Sequence, residues 1–414
     1  MIARILLAGA LASSVFGQSP AVPARKPLSD EMLRRVRPII DAIWGLDYPP
    51  AEALCQRVIQ DFPDHPAGYV YCERVYFSEE LSKARLLSAE RALGMDLFSD
   101  APKFNLPVAL EIDARFRRAA DEATEKAHLW IKQHPGDLDG QYLLGSAYAF
   151  KSAYEFSIRH SRLSASEDAS RTFKVLSSLV RRHGDVVDAR ALTGAFSVVA
   201  DSLDFKTKVV AALFLGIHGN LNAGRRDMED ASERGFVEND DAGLLLSILY
   251  TRERKFDQAM TKLAQLHERY PENYLVPLDM AALELISGQP AQALNTYREM
   301  LAKNYPKLER SVVLGRLGVA SRMSGDLAQS ERWLREAAET SAISRPSLSI
   351  TRLELGKTLD LQGKRAGAVE QYRRVLEGND FLGLRQDAER WLRRPYDQAA
   401  RDKDNRGGGI ITLN

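Results

Sequence analysis

Four stretches in the C-terminal half repeat one arrangement of apolar, small and polar positions: Asp240–Pro271, Tyr274–Tyr305, Ser311–Ala342 and Ser349–Asp380. Each carries an apolar residue followed by a small one: Leu246-Ser247, Met280-Ala281, Leu317-Gly318 and Leu355-Gly356. A second small residue follows at Ala259, Ala293, Ser330 and Ala368. One helical turn later comes a bulky residue, Leu263, Tyr297, Leu334 or Tyr372, and then Leu266, Met300, Ala337 or Val375. The spacing predicts two antiparallel helices per stretch. Small residues let the backbones approach, and the bulky residue fills the gap one turn further on. The polar or Gly-containing breaks at Arg252–Lys255, Gly288–Pro290, Gly325-Asp326 and Gly363-Lys364 end the first helix and permit the turn. Pro271 and Pro306 stop second helices, since proline removes a backbone donor and clashes with the preceding turn.

The N-terminal half repeats the pattern less regularly. Ala51, Cys55, Val58 and Pro63 mark one second helix, and Ala123, Ala127, Trp130 and Pro135 another, followed by Leu144-Gly145 and Tyr148 on the next first helix. Ala169, Phe173 and Leu176 mark a third, and Gly224, Met228 and Ala231 a fourth. Insertions blur the period between residues 77 and 110 and near 157–165. Residues 381–403, with Leu382, Leu384, Ala388, Trp391 and Leu392 apolar, predict one amphipathic capping helix over the last core face. The charged, then Gly-rich residues 404–414 predict a disordered tail.

On these residues the chain resembles the tetratricopeptide-repeat family, of an exported bacterial type. The 34-residue steps from Ala259 to Ala293 and from Leu263 to Tyr297 match its period. The family's early Trp is missing, with Gly243, Pro277, Leu314 and Arg352 in its place. The resemblance implies an all-α fold, a right-handed α-solenoid of about seven antiparallel helix pairs with a C-terminal capping helix. Degenerate repeats would fill 28–239 and regular ones 240–380.

The N-terminus changes where such an array would work. Met1–Arg4 carries one positive charge, Ile5–Phe16 is an apolar run too short to span a bilayer, and Val15 and Gly17 supply the small residues of a cleavage site. Residues 1–17 therefore read as a signal peptide and 18–27, with three prolines, as an extended linker. The expected location is outside the cytoplasm, periplasmic or secreted. No later stretch is apolar for long enough to predict a membrane span. Lys plus Arg number 57 against 56 Asp plus Glu, so no basic footprint suggests nucleic acid.

Candidate chemistry is sparse. The histidines, at 65, 128, 134, 160, 183, 218 and 267, form no metal-ligand pair, and no phosphate-binding or nucleophile motif is present. The expectation is a chain without catalytic residues, metal or cofactor. The cysteines, Cys55 and Cys72, lie at equal distances from the Pro63–Pro66 turn on two adjoining core-facing helices. An oxidising compartment would allow a disulfide, while typical helix spacing equally suits two buried thiols behaving as small hydrophobes.

In the family the first helix of each pair lines the concave side. The resemblance therefore implies a ligand stripe at Leu244, Ile248, Arg252, Leu278, Ala282, Leu285, Val319, Arg322 and Lys357. An apolar floor with basic edges at Arg252, Arg322 and Lys357 suits a peptide with apolar anchors and some acidic character. The expected function is a protein-binding scaffold of the cell envelope or secreted space. The rival reading is a small-ligand- or carbohydrate-binding protein, or an enzyme, which would need a pocket with converging His, Asp, Glu or Trp side chains.

Overall fold

The structure, a computed structural model, describes residues 23–83, 110–202, 219–340, 343–378 and 383–404. The expected signal peptide and residues 405–414 of the expected disordered tail lie outside these residues, whereas Asp404, the first residue of that tail, is ordered and accepts from the Tyr396 hydroxyl. Eighteen helices and no strand occur among them. In the first half these are α1 (Asp30–Trp44), α2 (Tyr48–Asp61), α3 (Ala67–Lys83), α4 (Leu110–Gln133), α5 (Leu138–Ser157), α6 (Arg162–Arg182), α7 (Val187–Ser202) and α8 (Leu221–Arg234). The second half holds α9 (Asn239–Arg252), α10 (Phe256–Arg269), α11 (Leu275–Ile286), α12 (Pro290–Lys303), α13 (Arg310–Met323), α14 (Leu327–Glu339), α15 (Arg345–Leu361) and α16 (Arg365–Leu376). Two shorter helices close the chain, α17 (Leu384–Arg393) and α18 (Gln398–Lys403). From α1 to α17 each described helix packs on the next described one, and α1 to α16 group as eight consecutive pairs. The fold is an all-α solenoid.

Local signals set the helix boundaries. Ser29, Asp137, Asn220, Asp326, Ser344 and Asp397 cap helix N-termini by accepting from a backbone N–H three residues on. Second helices bury one face only: Ala259, Leu263 and Leu266 on α10, Ala293, Tyr297 and Met300 on α12, and Ser330, Leu334 and Ala337 on α14. These are the predicted small and bulky positions. Each large apolar side chain so buried contributes roughly 1.5–3 kcal/mol. The turn inside each regular pair needs one left-handed residue. Gly288, Gly325 and Gly363 supply it at φ 82°, 88° and 75°, whereas Arg254 adopts φ 57° at the same repeat position.

Close helix approach is visible at the small residues. A Cβ on Gly318 would sit 2.4 Å from Leu334 Cγ, and one on Gly356 would sit 2.4 Å from Tyr372 Cε1. Gly145 stands likewise against Leu176. Cys55 on α2 and Cys72 on α3 are joined by a disulfide, with Cα atoms 5.4 Å apart and both side chains buried. Of the two alternatives the sequence left open, the structure takes the bond.

Two expectations need correction. The single capping helix over 381–403 is broken: α17 ends at Arg393, Pro395 prevents continuation, and α18 starts afresh at Gln398. The linker over 18–27 is also not free where it is described. Arg25 N donates to Asp185 O at 2.8 Å, and Pro27 and Leu28 are buried.

That docked segment leads into a larger departure from nearest-neighbour stacking. Helix α1 packs far along the chain. Arg37 donates to Asp240 Oδ2 at 3.0 Å and to the Tyr270 hydroxyl at 2.8 Å, and Trp44 stacks on Tyr270 at 5.5 Å. Asn273 Nδ2 donates to Trp44 O at 2.8 Å, and Lys307 Nζ to Leu46 O at 2.9 Å. From α3, the buried Arg74 pairs with Asp241 and lies 3.7 Å from Glu238, which also accepts from Tyr142 at 2.6 Å. A single hydrophobic cluster consequently runs from Leu28 to Leu283.

Candidate functional site

The nine residues expected to line the concave side divide sharply. On α9, Leu244 and Ile248 are half-buried and Arg252 is exposed; they follow one another at four-residue intervals and share one face. Leu278 on α11 is also half-buried. Leu245, which the sequence did not single out, is 41% exposed beside them. The remaining five are covered and require correction. Ala282 and Leu285 are fully buried, Val319 is 2% exposed, Arg322 2% and Lys357 3%. The reason is packing between successive first helices. Helix α13 contacts α15 directly, and Val319 joins a cluster with Ile350, Leu353 and Tyr372. Leu285 belongs to the core around Tyr297 and Leu317. Apolar residues aimed at the next first helix look, in sequence, like apolar residues aimed at a ligand.

Arg322 and Lys357 form a buried ionic centre with Glu354. Arg322 Nη2 pairs with Glu354 Oε2, and Lys357 Nζ donates to Glu354 Oε1 at 2.7 Å. Burial alone would raise the Glu354 carboxyl, but Lys357 and Arg322 outweigh it and hold it below the usual carboxylate range. Tyr396 reaches the same centre from beyond α17 and accepts from Arg322 Nη1 at 2.7 Å. Desolvation pushes its phenol well above the ordinary value, so it stays neutral. Neither Tyr396 nor Asp404, 3.8 Å from Lys357 Nζ, was marked by the sequence pattern, because Arg322 lies 74 residues before Tyr396 and Lys357 belongs to a repeat that ends well before Asp404.

A cleft of about 400 Å³ opens elsewhere, lined in part by Met32, Glu31, His65, Trp130, Asp137 and Asp139. Trp130, read in the sequence as repeat core, is half-buried along it. The polar groups here fasten the fold. Asp139 accepts from Ser29 N at 2.9 Å and lies 3.6 Å from His65 Nε2. His65 Nδ1 accepts from Ala67 N at 3.2 Å, so the neutral ring carries its proton on Nε2, facing Asp139. Asp137 caps α5 and also accepts from Trp130 Nε1 at 2.7 Å. Among the described residues no cluster of His, Cys, Asp or Glu could hold a metal ion, and no helix is long and apolar enough to cross a membrane.

No curated protein matches the chain. Among solved structures, yeast Tom70 is similar over 87% of this chain and 87% of its own, at 13% identity and TM-score 0.35. The APC/C hetero-tetramer Cut9–Hcn1 is similar over 93% of this chain and 84% of its own, at 15% identity and TM-score 0.29. Overlays this loose transfer nothing from those proteins. The tetratricopeptide-repeat family profile matches residues 241–273, which span α9 and α10. The chain therefore carries a tetratricopeptide repeat there, inside an array of antiparallel helix pairs.

Proposed function

We propose that this protein is a non-catalytic scaffold that binds a peptide segment of a protein partner, through the face that α9 and α11 leave open. The observation that carries the reading is the strip Leu244, Leu245, Ile248, Arg252 and Leu278, apolar with one cation at its end, next to first helices whose corresponding residues are covered. Such a strip takes the apolar side of a helix or an extended segment. Arg322 and Lys357 are buried inside the chain, so the strip offers an apolar surface rather than the basic edge expected of it. The buried disulfide supports an oxidising location, periplasmic or secreted, because cytosolic thiols are kept reduced. No nucleic acid is expected as a partner, since the formal net charge is +1.

The test is affinity capture from cell-envelope and secreted fractions with the wild-type chain and with the double variant Leu244→Asp, Ile248→Asp. Placing two carboxylates on the strip should weaken a specific partner by at least about tenfold, that is about 1.4 kcal/mol. The reading fails if both chains capture the same proteins equally. It fails also if neither captures a protein while a small ligand raises thermal stability. That second outcome would favour ligand binding at the His65–Trp130 cleft, a concave site with converging polar groups.

A further inference from the structure

The segment Arg394–Asp404 turns back from α17 and lies over the first helices α13 and α15. Tyr396 is fully buried there. Its backbone N donates to Asp360 Oδ2 at 2.9 Å, and its hydroxyl accepts from Arg322 and donates to Asp404 Oδ2 at 2.8 Å. The ring stands 5.3 Å from the Arg322 guanidinium and 5.5 Å from Lys357 Nζ, two cation–π distances, and meets Trp391 edge-on at 5.0 Å. One aromatic side chain thus bridges two successive first helices, the positions where the sequence reading placed a ligand.

The charges say what the site accepts. Arg322 and Lys357 contribute two positive charges, and Glu354 returns one negative charge. Asp360 is matched separately by Arg365 at 3.0 Å, and Asp387, whose carboxyl burial raises, by Arg390 at 3.1 Å. Without Asp404 the centre would keep one uncompensated buried cation, which is costly. Arg322 Nε, moreover, has no hydrogen-bond partner among the described residues although it is buried.

We propose that residues 395–404 are an intramolecular occupant of a second peptide site on the first-helix face. The site would take a partner segment of the same chemistry: a tyrosine followed, two helical turns on, by a carboxylate. This deepens the scaffold reading, and it rests on that reading only for the existence of an outside partner. A tethered segment competes at an effective concentration in the millimolar range, so an outside peptide meets a site that is closed most of the time.

The experiment uses the full chain and a fluorescent synthetic peptide of residues 394–404. Asp404→Lys puts a third cation against Arg322 and Lys357 and should release the segment without removing a buried ring. Tyr396→Ala releases it by the other anchor. Circular dichroism checks that each variant is folded. The peptide should bind Asp404→Lys at least about tenfold more tightly than it binds wild type, and trypsin should cut after Arg401 correspondingly faster. A peptide with the tyrosine replaced by alanine should not bind. The proposal is overturned if the folded Asp404→Lys chain binds no better than wild type, or if the alanine peptide binds equally well. Partner capture through Leu244 and Ile248 is a separate readout, so either idea can fail alone.

Discussion

Gly315 and Gly318 stand one helical turn apart on α13, and the packing around them predicts opposite responses to the same substitution. A Cβ at Gly318 would lie 2.4 Å from Leu334 Cγ, with the two methyl carbons at 2.8 and 3.2 Å. Leu334 is fully buried on α14, and the clash reaches its branch point, so a rotamer change does not relieve it. At Gly315 the nearest atom is Thr351 Oγ1 at 3.6 Å, ordinary van der Waals contact. Both glycines cost the helix about 1 kcal/mol relative to alanine. Gly315→Ala should recover that amount. At Gly318 the same gain meets an overpacking penalty of about 1–3 kcal/mol, and an overlap of that depth belongs in the upper half of the range. Gly318→Ala should therefore be about 1 kcal/mol less stable than wild type, and about 2 kcal/mol less stable than Gly315→Ala. Guanidinium unfolding followed by circular dichroism measures the difference. Hydrogen exchange of the α13 and α14 amides locates it, which matters because repeat arrays can unfold in pieces. If Gly318→Ala proves as stable as Gly315→Ala, the close approach of α13 to α14 is wrong, and the explanation of the small-then-bulky spacing falls with it.

Three further outcomes follow from named groups. Replacing Cys55 and Cys72 together by alanine should cost about 3 kcal/mol, the loop-closure entropy for residues 17 apart, and mass spectrometry should find no free thiol in oxidised wild type. Glu73 is fully buried, with neither carboxylate oxygen hydrogen-bonded among the described residues; burial pushes its carboxyl well above the usual range, with Lys151 opposing and Asp168 and Asp121 adding to the rise. The folded chain holds this proton while the unfolded chain releases it near pH 4.5, so stability is full below that pH and falls as pH rises, by about 1.4 kcal/mol per unit, until the folded group ionises. Glu73→Gln should remove that slope, and equal slopes between pH 5 and 7 for the two proteins would show that the folded carboxyl is ionised. Arg254→Gly should stabilise by about 1 kcal/mol, because the left-handed turn position is held by glycine in the next three pairs, and an unchanged denaturation midpoint would contradict the strain assigned to it.

The legible part of this fold was the part decided within one repeat. Leu334 and Tyr372 press on a glycine of the preceding helix, and Leu263 and Tyr297 are buried at the same repeat position, so the information is carried within one helix pair. The turn glycines are similarly local. Of the stripe expected to line the concave side, Leu244, Ile248 and Arg252 on α9 and Leu278 on α11 keep some exposure, and the other five are covered. Val319 and Leu285 are apolar whether they face a neighbouring first helix or a ligand, and periodicity does not tell these apart. Arg322 and Lys357 resembled solvent-facing cations because Tyr396 and Asp404, which cover them, arrive from outside the repeats. Pro395 was a visible signal that the capping helix must break and the chain turn, and it is that turn which brings Tyr396 onto Arg322.

An array of helix pairs has two ends where core side chains lack a neighbour, and terminal elements with a polar outer side ordinarily cover them. Here each terminal segment does more than cover its own end. Helix α1 is held to residues 239–273 by Arg37, Trp44 and the Asn273 bond, which makes the first half a closed body with one continuous core. The C-terminal segment is held to α13 and α15 by Tyr396 and Asp404. First-helix faces are thus used up from both directions. Where Leu244, Leu245 and Ile248 remain partly open on α9, the apolar surface has no covering element among the described residues, whereas the equivalent surface on α13 and α15 has one in Tyr396 and its flanks. The α9 strip depends on no displacement and should bind whenever a partner is present. The α13–α15 centre depends on releasing a tethered segment, so its occupancy should respond to mutations at Asp404 that leave the α9 strip untouched.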